Sequence, residues 1–226
     1  MDRKIMNSPL SATALRRICQ LNVSRHERFY TIAKLRSDPV YAAVTRELAG
    51  SSLSVLDIGC GIGLLALYLR EAGFVPAIAG FDYDVRKITS AQALVIRGGY
   101  EGLSYMTGDA RSGLPECSGH VVILDILQFF TRQEQTALLK AAAARVASGG
   151  RLIIRTCLCD DSLRFRITVA GDWLANLTHW MKEGPVCYPD RALFESVLSA
   201  AGLRVRVQPL WGVTPFNNHL VVAERE

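Results

Sequence analysis

No apolar run in this chain approaches the roughly 20 residues needed to cross a bilayer. The opening stretch, residues 1–20, is charged at its front and has no continuous apolar core. Neither a helical span nor a secretory signal is read, so a cytoplasmic location without membrane insertion is expected. Paired cysteines at zinc-site spacing are also missing. The six cysteines stand at 19, 60, 117, 157, 159 and 187, and Cys157-Leu-Cys159 has no second pair beside it. Buried free thiols and no metal are expected. Nor is there a basic stripe interleaved with aromatics. The 26 Lys and Arg against 21 Asp and Glu leave a scattered net charge of +5, which argues against a nucleic-acid partner. That excess reads as a solvated surface, or as a docking face for an anionic substrate or acidic carrier.

What is present is enough apolar residue to build one large core: 50% of 226 positions are hydrophobic. Short apolar runs alternate with helical patterns after about residue 50. Ser54–Ile58, Ala77–Phe81, Leu103–Met106, His120–Leu124 and Arg151–Thr156 read as strands. Leu64–Ala72, Val85–Val95 and Gln133–Val146 read as the helices between them. Continuous apolar strands separated by helices indicate a parallel sheet covered on both faces. Farther on, a helix over Asp190–Ala201 is followed by Leu203–Pro209 and Asn218–Glu224. These two strands are joined by a segment too rich in Pro and Gly for a crossover helix, so they should pair antiparallel. The expected fold is α/β: a Rossmann-like, seven-stranded, mostly parallel sheet with one antiparallel strand and helices on both faces. Residues 1–50 read as an N-terminal helical cap or lid, and residues 51–226 as the main domain. Asp38-Pro39 marks a helix start within the cap.

The stretch Val55-Leu-Asp-Ile-Gly-Cys-Gly-Ile-Gly63 leaves the first strand, turns on three glycines and enters a helix. Glycine permits unusual φ values and close approach of a ligand to the backbone. The helix that follows offers free N–H groups to an anion. The dinucleotide fingerprint is G-x-G-x-x-G, whereas Gly59, Gly61 and Gly63 are spaced G-x-G-x-G behind an acid at 57. Asp82 stands at the tip of the second strand, where an acid can accept from both ribose hydroxyls of a nucleotide. Asp84, two residues on, suits a helix N-cap. Gly108-Asp109-Ala110 follows the third strand, and Asp125-Ile-Leu-Gln128 follows the fourth.

The D-x-G-x-G-x-G pattern and these companions, over roughly residues 50–156, resemble the class I S-adenosylmethionine-dependent methyltransferases. The resemblance implies S-adenosylmethionine as cofactor, held by Asp57, Gly59, Cys60, Gly61 and Gly63 at the turn, by Asp82 and Tyr83, by Asp109 and Ala110 at the adenine, and by Asp125 and Ile126. Gln128 would face the substrate, where many members carry His; Gln is no base near neutral pH. The extension Arg28–Tyr41 and the stretch Trp211-Gly-Val-Thr-Pro-Phe-Asn-Asn are similar to small methyltransferases of lipid and aryl-polyene biosynthesis. That likeness implies a small aromatic or acyl substrate, with an acyl carrier protein as candidate partner.

In the extension, Tyr30 and Arg36 read as lid residues over the cofactor, with the Arg36 fork facing the methionine carboxylate. Methyl transfer chiefly requires placing a nucleophile and, where needed, removing its proton. The candidate proton acceptors are His179, His219 and Tyr30, with Trp180 lining the substrate pocket. A non-catalytic Rossmann-like binding protein and a nicotinamide-dependent oxidoreductase are the competing readings. The glycine spacing opposes the second, and the intact acids at 57, 82 and 109 oppose the first. No oligomeric state is specified.

Overall fold

The computed structural model describes residues 10–22, 24–177 and 184–226. The chain divides into two compact units, residues 1–108 and 109–226.

The first unit is built on three parallel strands, β1 (Val55–Ile58), β2 (Ile78–Asp82) and β3 (Leu103–Thr107), in register Val55↔Ile78 and Ile78↔Leu103. All four β1 residues are buried, while β3 is mostly exposed, the difference between an interior and a flanking strand. Around them lie α1 (Ala12–Leu21), α2 (Arg25–Ser37), α3 (Val40–Glu47), α4 (Leu64–Glu71) and α5 (Val85–Gly98). Helix α4 buries every side chain from Leu64 to Leu69. Helix α5 starts where the Asp84 carboxylate accepts the Arg86 amide at 3.1 Å, and stops at Gly99 in the left-handed region. The N-terminal helices are tied to this frame. Tyr41 stacks on Tyr68 at 5.4 Å between ring centroids, and Arg17 donates to the Gly98 carbonyl while lying over the Tyr100 ring.

The second unit contains β4 (His120–Leu124), α6 (Arg132–Ala143), β5 (Arg151–Cys157), α7 (Leu163–Leu177), α8 (Arg191–Ala200), β6 (Arg204–Pro209) and β7 (Asn218–Glu224). β4 and β5 are parallel. β7 lies antiparallel to both β5 and β6, so one reversed strand occupies an interior place. Helix α6 opens with a reciprocal capping box between Thr131 and Glu134. Helix α8 is capped by Asp190, whose carboxylate also takes both bonds of the Arg132 guanidinium at 2.8 and 2.9 Å. Phe194 of α8 is fully buried; removing such a ring from water contributes about 1.5–3 kcal/mol.

The strand order is β3-β2-β1-β4-β5-β7-β6, the Rossmann-like mixed arrangement with one antiparallel strand that the sequence predicts. Helix α7 is the element the sequence reading leaves unassigned. No disulfide joins any of the six cysteines; Cys19 and Cys157 are buried, Cys60, Cys117 and Cys187 are part-buried, and Cys159, beyond the end of β5, is exposed, so the expectation of buried thiols holds fully for two of them.

Candidate active site

In the first unit, β1 runs into a turn in which Gly59, Gly61 and Gly63 have φ of 77°, 57° and 78°. An L side chain in this region costs about 1–2 kcal/mol, which is why the turn is glycine at each alternate position. The Gly59 and Cys60 amides both donate to the Phe81 carbonyl, at 2.7 and 3.2 Å, pinning the turn against the end of β2. The Gly61 amide donates to Asp82 Oδ2 and the Asp84 amide to Asp82 Oδ1, each at 2.9 Å. Asp82 is 5% exposed, yet among the described residues each oxygen accepts a single hydrogen bond, leaving a further acceptor direction on each.

Space is distributed unevenly along the turn. A Cβ on Gly63 would stand 2.3 Å from the Tyr105 hydroxyl oxygen, and one on Gly80 equally close to the same ring. A Cβ on Gly61 would meet nothing within 4 Å. Tyr105 therefore floors the turn from β3, while the side above Gly61 is open for a ligand. Asp57 is 2% exposed; burial, and then the neighbouring Asp82, push its carboxyl up to about 7. Two buried carboxyls beside an open glycine turn favour a ligand carrying hydroxyl donors and a positive charge. Burial, Asp57 and Asp82 also push the Cys60 thiol far up, so it is inert as a nucleophile. Tyr83 follows Asp82 and is about half exposed.

The two N-terminal candidates lie on α2. Arg36 lines a shallow cavity of about 380 Å³ with Arg16, Arg28 and Cys19, between α1 and α2. Tyr30 is half-buried on the same helix.

In the second unit, Asp109 accepts the Arg111 amide at 2.9 Å and faces its guanidinium at 3.5 Å, with Ala110 half-buried between them. Asp125, just past β4, has φ 57°, the sole positive φ outside glycine among the described residues. Its carboxylate pairs with Arg155 of β5, which is 5% exposed, and its amide donates to the Arg155 carbonyl at 2.9 Å. Ile126 leads into a 3-10 turn, Leu127–Phe129. Gln128 Nε2 donates to the Asp125 carbonyl at 3.0 Å, and the Gln128 carbonyl accepts from the Val186 and Cys187 amides at 2.7 and 3.2 Å. Gln128 Oε1 is buried with no hydrogen-bond partner among the described residues.

The histidines divide. His219 is an interior residue of β7, set between Thr156 and Pro209, with Nδ1 3.0 Å from the Asn217 carbonyl and Trp211 edge-on at 6.1 Å. Burial lowers its basicity. These contacts are those of a packed strand residue. His179 and Trp180 lie outside the described residues. Sequence reasoning missed Arg155, Asp172 and Tyr188. The Tyr188 hydroxyl donates to Asp172 Oδ2 at 2.7 Å, and Phe165 packs edge-on against Tyr188 at 5.3 Å. The described residues hold no cluster of His, Cys, Asp and Glu able to bind a metal, and no helix long and apolar enough to cross a membrane.

In the first unit, a strand-turn-helix glycine cradle with an acid at the tip of β2 is the arrangement of a Rossmann-like α/β protein of the class I methyltransferase type. The chain belongs to the family described as "Methyltransferase domain", whose model matches residues 24–208. The match takes in the glycine turn, β2 and the segments after β3 and β4. Over 114 residues it is 34% identical to the ribosomal protein L11 methyltransferase of Xanthomonas oryzae pv. oryzae (strain MAFF 311018), a match covering 50% of this chain and 33% of that protein. The chain thus spans about a third of the length of this curated relative. Among solved structures, the magnesium protoporphyrin IX methyltransferase from Synechocystis PCC 6803 with bound SAH has the same fold, with a TM-score of 0.65, 20% identity and full coverage of both chains. An O-methyltransferase family protein from Burkholderia thailandensis aligns with a TM-score of 0.68 and 18% identity, covering 99% of this chain and 66% of that one.

Proposed function

We propose that this methyltransferase acts on a small aromatic or acyl molecule, free or presented by an acyl carrier protein, and that its cofactor is held at the glycine turn. The observation that carries the cofactor placement is Asp82: a buried carboxylate, fixed by the Gly61 and Asp84 amides, with an acceptor direction left on each oxygen beside the open side of Gly61. Those remaining directions suit the two ribose hydroxyls. The Asp57 carboxyl, held near neutrality by burial and Asp82, ionises readily next to the ammonium of a bound amino-acid moiety. Asp109 and Ala110 are assigned to the adenine, with Asp125, Ile126 and Tyr83 bordering the cofactor. Gln128, with its unpartnered buried oxygen, faces the acceptor.

When bound, S-adenosylmethionine supplies an electrophilic methyl on a sulfonium. The protein's part is to orient the acceptor in line, exclude water and take up a proton. The solved neighbours support a small-molecule acceptor by name, one acting on a magnesium porphyrin and the other an O-methyltransferase family protein. The net charge of +5 supports an anionic substrate or acidic carrier. Tyr30 and Arg36, with the other residues of 1–50, are proposed to close over the site, and the remainder of the chain to form the methyltransferase domain.

Calorimetric titration with S-adenosylhomocysteine, run beside NAD and repeated on Asp82→Ala, tests the cofactor placement. Micromolar binding of S-adenosylhomocysteine that the substitution abolishes, with no heat from NAD, is expected. Equal affinity in both proteins would remove Asp82 from the site.

A further inference from the structure

Within the second unit, three segments are joined by hydrogen bonds. The turn after β4 carries Asp125 and Gln128; the backbone at Val186 and Cys187 is bound to the Gln128 carbonyl; and the next residue, Tyr188, donates its hydroxyl to Asp172 of α7 at 2.7 Å. Asp172 and Tyr188 are thereby anchored beside the turn where the acceptor is proposed to sit. The bond occupies Asp172 Oδ2 and fixes the side-chain rotamer. Oδ1 has no partner among the described residues. No cation pairs with Asp172 among them either, whereas the nearby Asp125 carboxylate is matched by Arg155. A half-buried carboxylate with one oxygen held by a phenol and the other left open is poorly explained as a structural tie alone. It is well suited to receive a proton.

We infer that Asp172 is the proton acceptor for the methyl acceptor's hydroxyl, that Tyr188 positions it, and that the acceptor is a phenol or enol. This rests on the methyltransferase reading above. The acceptor O–H proton passes to Asp172 Oδ1 as the oxygen pair forms the O–CH3 bond. The methyl–sulfur bond breaks with its pair left on sulfur, giving the thioether, and Asp172 then returns the proton to solvent.

The charged and titratable groups around Asp172 agree with the role. Burial, and then the Asp125 charge, raise its carboxyl, while the Tyr188 hydrogen bond restrains the rise, giving a stronger base than an exposed aspartate. Cys157, on the same side, is pushed up to about 12 chiefly by burial and stays protonated. The Tyr188 phenol is pushed far up by burial and by Asp172, so it remains a donor. His219 is turned to Asn217, and Gln128 has no basic atom.

The test is methyl transfer from tritiated S-adenosylmethionine to para-substituted phenols, from 4-nitrophenol, the most acidic, to 4-methylphenol, by wild type, Asp172→Asn and Tyr188→Phe. For Asp172→Asn, kcat/KM on 4-methylphenol is expected to fall at least about 100-fold with S-adenosylhomocysteine affinity unchanged. The loss should shrink for 4-nitrophenol and as pH rises toward phenol ionisation. Tyr188→Phe should move the acid limb of the pH profile upward, since Asp172 loses its restraining donor. A loss of equal size for all phenols and pH values, or no loss, overturns the role of Asp172. A wild type that binds S-adenosylhomocysteine yet methylates no phenol overturns the acceptor class. A wild type that does not bind it overturns the underlying cofactor reading instead.

Discussion

The Asp82 carboxylate and the Gly61 amide, separated by 21 residues in sequence, meet at 2.9 Å and lock the end of β2 to the glycine turn after β1. One side chain thus both shapes the cradle and presents acceptors to it.

Replacing Asp82 by Ala removes ligand acceptors and leaves the Gly61 and Asp84 amides without their carboxylate. Affinity for S-adenosylhomocysteine should drop by more than about 100-fold, equivalent to about 2.7 kcal/mol. The buried unsatisfied amides should cost about 1–3 kcal/mol of stability as well. Calorimetric titration and thermal unfolding of the same preparations separate the two effects.

Alanine at Gly61 and at Gly63 should fail in different ways. At Gly61 the left-handed backbone is penalised by about 1–2 kcal/mol and the methyl enters open space, so the protein should fold but lose ligand affinity. At Gly63 the same penalty is joined by a clash with Tyr105, so the melting temperature should fall further. Adding Tyr105→Ala should recover part of that drop and not the φ penalty. A Gly61→Ala protein that binds normally would place the ligand elsewhere.

Two proton linkages oppose one another in the ligand-free protein. Asp57 is raised from 3.8 to about 7, so its contribution to stability is present below its ordinary pKa and lost as pH rises through 7. His120, held by burial and by Arg151 down at about 4 from 6.5, contributes above 6.5 and loses its share as pH falls through 4. The wild-type slope is therefore flattened between these limits. Asp57→Asn should gain stability relative to wild type as pH rises from about 4 to 7. His120→Asn, which keeps an acceptor for the Arg151 amide bound at 3.0 Å, should gain relative to wild type as pH falls from about 6.5 to 4. Urea unfolding across a pH series measures both.

Asp125 combines a left-handed backbone with a carboxylate on the buried Arg155 guanidinium. Asp125→Ala sacrifices both, Asp125→Asn keeps the tolerance for positive φ, and Asp125→Gly loses the carboxylate but carries no backbone penalty. Stability should rank wild type, Asn, Gly, Ala, with Gly above Ala by about 1 kcal/mol. Equal values for Gly and Ala would show that the turn relaxes.

The strands and the cradle were legible because each is a local signal. Val121–Leu124 is a continuous apolar run and Val55–Ile58 is broken only by Asp57, and the glycines sit at fixed spacing after that acid. Asp84 was readable as a cap because a carboxylate immediately before a helical pattern can accept from its first free amides. The pairings that shape the substrate side were not legible. Arg155 looks like one more polar residue in RLIIRT until β4 and β5 bring it to Asp125, 30 residues away. Asp172 lies in a helix whose apolar pattern is weak, and its partner Tyr188 follows in a Pro-containing segment. The choice between them and the histidines depended on tertiary placement, which no periodicity encodes. His219 shows the converse: a chemically attractive residue absorbed by strand packing.

The interior position of β7 sets an order of events during synthesis. Until residues 218–224 have left the ribosome, β5 and β6 each present an unsatisfied edge to solvent, because the strand that separates them is made after both. The three strands of the first unit are complete by residue 107 and can close early. A stalled or truncated chain ending before Asn218 would thus display a finished half beside two open β edges, the arrangement most prone to intermolecular pairing and to recognition by quality-control machinery.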